Sequence, residues 1–199
     1  LGSSLYALGI YRRVVAANMG HVGYWDREEQ HRITKSLYRN MGRYVADFLH
    51  LRPGRVPYSV DNWSHVEQAL QRGKGTLLVL GHFGNWEALA TAFGTKVPHL
   101  DVVAMPMRNR VVERWLVRKR ESTGAQPIFQ RKAVRRIFNA LDDNHMVAVL
   151  IDQHARKQGT IVPFLDKPAS TVRTVAGLKH KTDCTVLLVY DLLESDGCY

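Results

Sequence analysis

Cysteine is scarce in this chain. Cys184 and Cys198 are its two, and they form neither a CxxC pair nor a disulfide framework, so the sequence reads as one from a reducing compartment, with Cys184 a core residue. Long apolar runs are missing as well: nothing approaches the roughly 20 apolar residues that span a bilayer, and the patch from Leu5 to Tyr11 stops at Arg12 and Arg13. No GxSxG string is present, which removes the simplest serine-hydrolase reading. HExxH and closely paired Cys/His sets are absent too, so His82, Glu87, Asp152 and His154 lack the spacing of a metal site and no metal is expected. Lys74-Gly75-Thr76 is not a phosphate loop, because the full GxxxxGK[ST] pattern is missing and its glycines precede a strand instead of following one. Acidic residues are few where basic ones gather. Between Arg108 and Arg136, ten Lys or Arg residues face only Glu113 and Glu121, within a chain of net charge +10. A surface of that kind attracts polyanions: phosphorylated head groups, an anionic membrane face, an acidic carrier protein or nucleic acid.

What remains is ample for one core: 199 residues, 45% of them hydrophobic. The chain begins with Leu1 and stops at Asp196-Gly197-Cys198-Tyr199, which resembles the middle of a hairpin, so a fragment is expected, with any membrane anchor outside it. The Asn62-Trp63-Ser64 sequon carries no weight without other signs of a secretory route.

The organising stretch is Thr76 to Phe93, TLLVLGHFGNWEALATAF. Thr76 to Leu80 is a short uncharged run bounded by glycines, which fits a buried strand. Gly81 and Gly84 loosen the turn that follows, Asn85 is placed to cap a helix, and Trp86, Leu89, Ala90 and Phe93 recur at helical spacing. His82 therefore lies at the carboxyl end of a strand and Glu87 in the first turn of the next helix. Open α/β sheets gather ligands at that edge, beside helix N-termini that favour negative charge. Residues five apart on a continuous helix point in different directions, so His82 and Glu87 meet only if the glycines turn the chain between them. A carboxylate on one imidazole nitrogen fixes the tautomer and makes the other nitrogen a better base. The bland alternative is a surface histidine followed by a helix-capping glutamate.

Elsewhere, Asp26 to Leu51 carries Ile33, Leu37, Met41, Val45 and Phe48 on one stripe, predicting a long amphipathic helix that covers a core. Pro53, Gly54 and Pro57 make a connector. Ser64 with Glu67 is a capping-box signature for a helix closed by Gly73. Val102 to Met105 is a second strand. Arg110, Arg114 and Arg118 then step along one face of a helix ending near Gly124, with Val111, Val112, Trp115 and Leu116 on the other. Met146 to Ile151 is a third strand. Thr171 to Lys181 reads as a helix capped by Ser170 or Thr171, and Thr185 to Leu192 as a strand running to a turn at Ser195-Asp196-Gly197. The expected class is α/β: a largely parallel central sheet flanked by helices, with N-terminal amphipathic helices and an antiparallel edge. Residues 1–75 are read as the N-terminal helical part and 76–199 as the core of one domain.

The string GHFGNWE after an apolar strand resembles the first motif of the lysophospholipid acyltransferase superfamily, and most closely its branch of bacterial late acyltransferases of lipid A assembly. Pro106, Asn109, Arg120 and Gly124 resemble the second motif, with one departure: Met105 stands where that family usually has an Arg, and Arg108 or Arg110 is expected to reach the same space. Asp152, Gln153, Gly159, Val162, Pro163, Phe164, Ala169 and Thr171 follow the order of the third, with His154 where the family is often acidic. Tyr11-Arg12-Arg13 and Asn18 resemble the region after the anchor.

The resemblance implies a glycerophosphate-acyltransferase-like fold. It also implies transfer of a fatty acyl chain from a thioester, on acyl carrier protein or coenzyme A, to a hydroxyl of a glycolipid such as a lipid A precursor. His82 would be general base and Glu87 its orienting partner. Asn85, Arg108, Asn109, Arg110, Arg120, Asp152 and Gln153 would bind substrate, with no cofactor beyond the acyl thioester. The place implied is the cytoplasmic face of a bacterial inner membrane. Two alternatives stay open: a glycerophospholipid or mannolipid acceptor, and a non-catalytic module binding anionic lipid or another polyanion. Nucleic acid fits less well, since the basic stretch interleaves few aromatics.

Overall fold

A computed structural model describes residues 2–50, 52, 58–129, 133–156, 159–194 and 198–199. They fall into two compact units, Leu1–His50 and Leu51–Tyr199. The Pro53-Gly54-Pro57 connector, Arg131 and Lys132 of the basic stretch, and the Ser195-Asp196-Gly197 turn lie outside the described residues.

The first unit consists of α1 (Gly2–Ala7), α2 (Arg12–Val22) and α3 (Arg27–His50). Tyr38 is the buried residue of α3: its ring meets Tyr6 edge-on with centroids 5.5 Å apart, and its hydroxyl donates to the Ile10 carbonyl. Gly2 packs against the Tyr38 backbone, where a Cβ would overlap the carbonyl. The long helix is as expected, but its stripe is not buried. Leu37, Met41 and Val45 are exposed, because the face that packs on α1 is the one carrying Tyr38.

The second unit is the α/β body. Its elements are α4 (Trp63–Gln71), β1 (Thr76–Leu80), α5 (Trp86–Gly94), β2 (Leu100–Ala104), α6 (Arg110–Glu121), β3 (Ala125–Phe129), α7 (Ala133–Asp142), β4 (Met146–Leu150), β5 (Thr160–Phe164), β6 (Lys167–Thr171), α8 (Thr174–Lys181) and β7 (Thr185–Leu188). Five strands form a sheet in the order β3-β2-β4-β1-β7, every pairing parallel. β5 and β6 pair antiparallel as a separate hairpin, so the antiparallel element lies outside the main sheet.

Helices on both faces explain why the central strands are apolar throughout rather than alternating with polar residues. Successive side chains on β1 and β4 enter two different cores. Leu78, Leu80, Met146 and Ala148 join Val66 of α4 and Leu89 and Phe93 of α5. Leu77, Val147 and Val149 join Ile137 and Leu141 of α7, Leu178 of α8 and Cys184, which is fully buried as its sequence context predicted.

Several boundaries differ from expectation, β2 running Leu100–Ala104 instead of Val102 to Met105 and α6 ending at Glu121. Asn62, not Ser64, precedes α4, because Trp63 enters the first turn to pack on Phe93, centroids 5.7 Å apart. Ser170 and Thr171 belong to β6, and α8 starts three residues later after Arg173. β7 stops at Leu188, leaving Asp191 beyond its end.

Candidate active site

The carboxyl end of β1 delivers His82 two residues beyond Leu80. β4 runs parallel beside it with Leu80 opposite Leu150, so the same two-residue overshoot brings Asp152 alongside His82. Asp152 holds that residue twice: Oδ2 accepts the His82 backbone N–H at 2.6 Å, and Oδ1 lies 2.8 Å from Nδ1 of the ring. Gly81 makes room, since a Cβ there would lie 3.3 Å from Asp152 Oδ2. Trp86 meets the imidazole edge-on at 4.9 Å. Burial is the largest single influence on Asp152 and works against its charge, but the hydrogen bonds from the His82 ring and backbone outweigh it, so the carboxyl sits below its ordinary value.

Glu87 takes a different partner. From the first turn of α5 it accepts two hydrogen bonds from Arg120 of α6, at 3.1 Å from Nε and 2.5 Å from an Nη, with both side chains largely buried. The expected His82–Glu87 contact is corrected accordingly: the carboxylate bonded to the imidazole is Asp152, and both oxygens of Glu87 are held by a guanidinium. The physical reason is register: the parallel pairing of β1 with β4 carries Asp152 to His82, while Glu87 on α5 is taken up by Arg120 of α6.

An apolar cavity of about 240 Å³ opens beside these groups. Leu78, Leu89, Phe93, Val102, Leu116 and Leu150 supply greasy wall, and His82, Trp86, Glu87, Arg120 and Gln153 line it as well. Such a space has walls suited to an alkyl chain, with an imidazole and the Glu87–Arg120 ion pair among its lining.

The other expected site residues divide by role. Asn85 is buried and caps α5, its Oδ1 accepting the Ala88 N–H at 3.3 Å. Asn109 caps α6, accepting from Val111 at 2.9 Å and Val112 at 3.3 Å. Gln153 borders the cavity with its amide nitrogen 3.5 Å from His82 Nε2, too long for a firm bond. Arg108 and Arg110 are exposed. Neither lines the cavity, although Met105 and Met107 do; the arginine that reaches it is Arg120. Asp191 was missed, and its buried carboxylate accepts the Asn85 N–H at 2.9 Å. Among the described residues, no three His, Cys, Asp or Glu side chains converge as ligands of a metal ion do.

The Glu87–Arg120 pair is sufficiently shielded for its loss to be felt. Arg120→Met strands a carboxylate, and urea unfolding is expected to show a loss on the order of 3 kcal/mol. Arg120→Met combined with Glu87→Gln is expected to lose less than the sum of the two single changes, because the stranded charge is gone. Strict additivity would mean that the pair contributes nothing as a pair.

Comparison with known proteins converges on one family. The model for bacterial lipid A biosynthesis acyltransferase matches residues 12–199. A curated phosphatidylinositol mannoside acyltransferase from Mycolicibacterium smegmatis (strain ATCC 700084 / mc(2)155) is 24% identical over 150 residues, which cover 72% of this chain and 49% of that protein. The chain thus spans about half the length of the curated relative it matches.

Proposed function

The chain belongs to the bacterial lipid A biosynthesis acyltransferase family, and on that premise we propose that it moves a fatty acyl group from a thioester to a hydroxyl of a glycolipid, with His82 as general base. The observation that carries this reading is the arrangement at the end of β1: an imidazole with one nitrogen on a carboxylate, beside an apolar cavity.

The chemistry follows from that arrangement. Nδ1 faces an ionised carboxylate, so it carries the proton and donates to Asp152, leaving Nε2 as the basic lone pair. Nε2 takes the proton of the acceptor hydroxyl as its oxygen attacks the thioester carbonyl carbon. The tetrahedral intermediate then expels the thiolate, which recovers the proton from the imidazolium. Asp152 stabilises the protonated ring throughout. Arg120, already at the cavity wall, is the cation available to the developing oxyanion. The acyl tail occupies the apolar cavity, and no cofactor beyond acyl carrier protein or coenzyme A enters the reaction.

The acceptor is read as a glycolipid because a lipid A family model and a mannolipid acyltransferase both match the chain. A lipid A precursor and a mannosylated phospholipid share a sugar hydroxyl beside phosphate, and the basic surface of α6 suits either. A polyanion-binding module without chemistry leaves the Asp152–His82 pair and the cavity unexplained.

The rim of the site supports work at an anionic lipid surface. Phe83 follows β1, Met105 and Met107 follow β2, and Tyr190 follows β7, all exposed at the carboxyl edge of the sheet; Val111 at the start of α6 and Ile161 and Phe164 of the hairpin after β4 are exposed too. Apolar side chains bordered by Arg108 and Arg110 are what a membrane-lying face requires. Among the described residues no helix is long and apolar enough to cross a membrane; the contact proposed is made through this rim, at the cytoplasmic face of the inner membrane.

The test is direct. Protein incubated with radiolabelled palmitoyl-coenzyme A or palmitoyl-acyl carrier protein, and with vesicles containing a lipid A precursor or phosphatidylinositol mannoside, is expected to yield a labelled glycolipid heavier by one acyl group in mass spectrometry. Label that never leaves the donor for any of these acceptors would sink the reading.

A further inference from the structure

β1 has a parallel neighbour on each side, β4 and β7. Each sends an aspartate past its own carboxyl end to the turn between β1 and α5. On the β4 side Asp152 holds the start of the turn through the backbone and ring of His82. On the β7 side Asp191 holds its end, with Oδ2 accepting the Asn85 N–H at 2.9 Å. Resting on the active-site reading above, we infer that Asp191 is a positioning residue for acyl transfer: with Asp152 it clamps residues 82–85 between two carboxylates and so fixes the imidazole against the cavity.

Local chemistry shows why this bond is needed. A helix N-cap leaves its own N–H without a partner in the helix, and a capping box answers that with a Glu or Gln three residues on. The residue three after Asn85 is Ala88, which has nothing to offer. Asn85 is 2% exposed, so water does not supply an acceptor either. Asp191, 7% exposed and arriving from another strand, does so.

The fit is close on both sides. Gly84 has φ +66°, in the left-handed region, and a Cβ at that position would collide with the carboxylate and carbonyl of Asp191. The other oxygen, Oδ1, is buried with no hydrogen-bond partner among the described residues. Burial raises the carboxyl above its ordinary value, against the pull of the backbone N–H groups. A carboxylate kept in such a place costs stability, which sets it apart from an ordinary cap. In return the turn is pinned three residues from the base, where a displacement of about 1 Å costs roughly 100-fold in rate.

The test uses the full chain with palmitoyl-coenzyme A and phosphatidylinositol mannoside vesicles. Asp191→Ala is expected to lower kcat per folded molecule by about 100-fold, with the KM for palmitoyl-coenzyme A within about twofold of the original. Asp191→Asn, whose amide oxygen still accepts from Asn85, is expected to recover at least a tenth of the original kcat, roughly. Should the alanine variant not fold, Asp191→Ser, too short to reach Asn85, is expected to show the same split. A kcat per folded molecule near the original in Asp191→Ala or Asp191→Ser overturns the inference, and so does an Asp191→Asn as impaired as those two. His82→Ala measured alongside separates the failures: an active His82→Ala brings down the active-site reading and this inference with it, whereas an inactive His82→Ala beside a fully active Asp191→Ala brings down this inference alone.

Discussion

His82→Ala is expected to lower acyl transfer by about 10²- to 10⁴-fold, measured as radiolabel passing from donor to glycolipid, with little change in the unfolding midpoint. The two halves of that expectation have separate physical origins. The chemical half follows from removal of the group placed to accept the hydroxyl proton, for which Gln153, Arg120 and Glu87 at the cavity are no substitute: an amide is scarcely basic, a guanidinium stays protonated, and both oxygens of Glu87 are held by Arg120. The structural half follows from how little the imidazole supports. Its ring is half-exposed, and the turn keeps the bond from the backbone N–H of residue 82 to Asp152 after the ring is removed. A variant that unfolds has therefore not tested the base, and circular dichroism must accompany the assay. Retention of most of the transfer by a folded His82→Ala protein would move the chemistry away from this turn altogether.

How far the sequence disclosed this site depends on the range of each interaction. The strand, glycine turn, Asn85 cap and helix from residues 76 to 94 are local and were legible in full, because apolar run, turn and cap act within a few residues of one another. β3 was not legible: Gln126 and Pro127 interrupt its apolar character, which is tolerated because β3 is the edge of the sheet, where Pro127 need not donate to a further strand. α7 was obscured by the charges of Arg135 and Arg136, although Ala133, Ile137, Ala140 and Leu141 fall at helical spacing on its buried face. For α3 the spacing revealed a stripe without revealing what would cover it; the buried face centres on Tyr38. The partner of His82 depended on the register of β1 against β4, seventy residues away in sequence, which periodicity does not encode. Asp191 was hidden for the same reason. Its hydrogen bond exists only because β7 lies on the other side of β1.

Register also sets the second large effect. Asp152→Asn is expected to lower kcat by about 10²- to 10⁴-fold with the fold retained, since the amide matches the carboxylate in shape and differs in what it does to the ring. Asparagine still accepts one hydrogen bond from residue 82, but its NH₂ end favours the wrong imidazole tautomer and no negative charge remains to steady the imidazolium. The depressed carboxyl of Asp152 gives the sign of its pH linkage. An acid lowered by folding contributes stability above its unfolded value, near 3.8, and that contribution is lost as pH falls through the lower folded value. Asp152 thus stays ionised across neutral pH, and a fall in rate between pH 5 and 7 belongs to another group. Glu87→Gln provides the contrast. Its carboxylate is engaged with Arg120, so its loss should appear first in the unfolding midpoint and in kcat only as far as the wall of the cavity shifts. If Glu87→Gln were stable but inactive while Asp152→Asn turned over normally, the working dyad would be His82 with Glu87, and the Asp152 contact would be a prop for the turn rather than part of the chemistry.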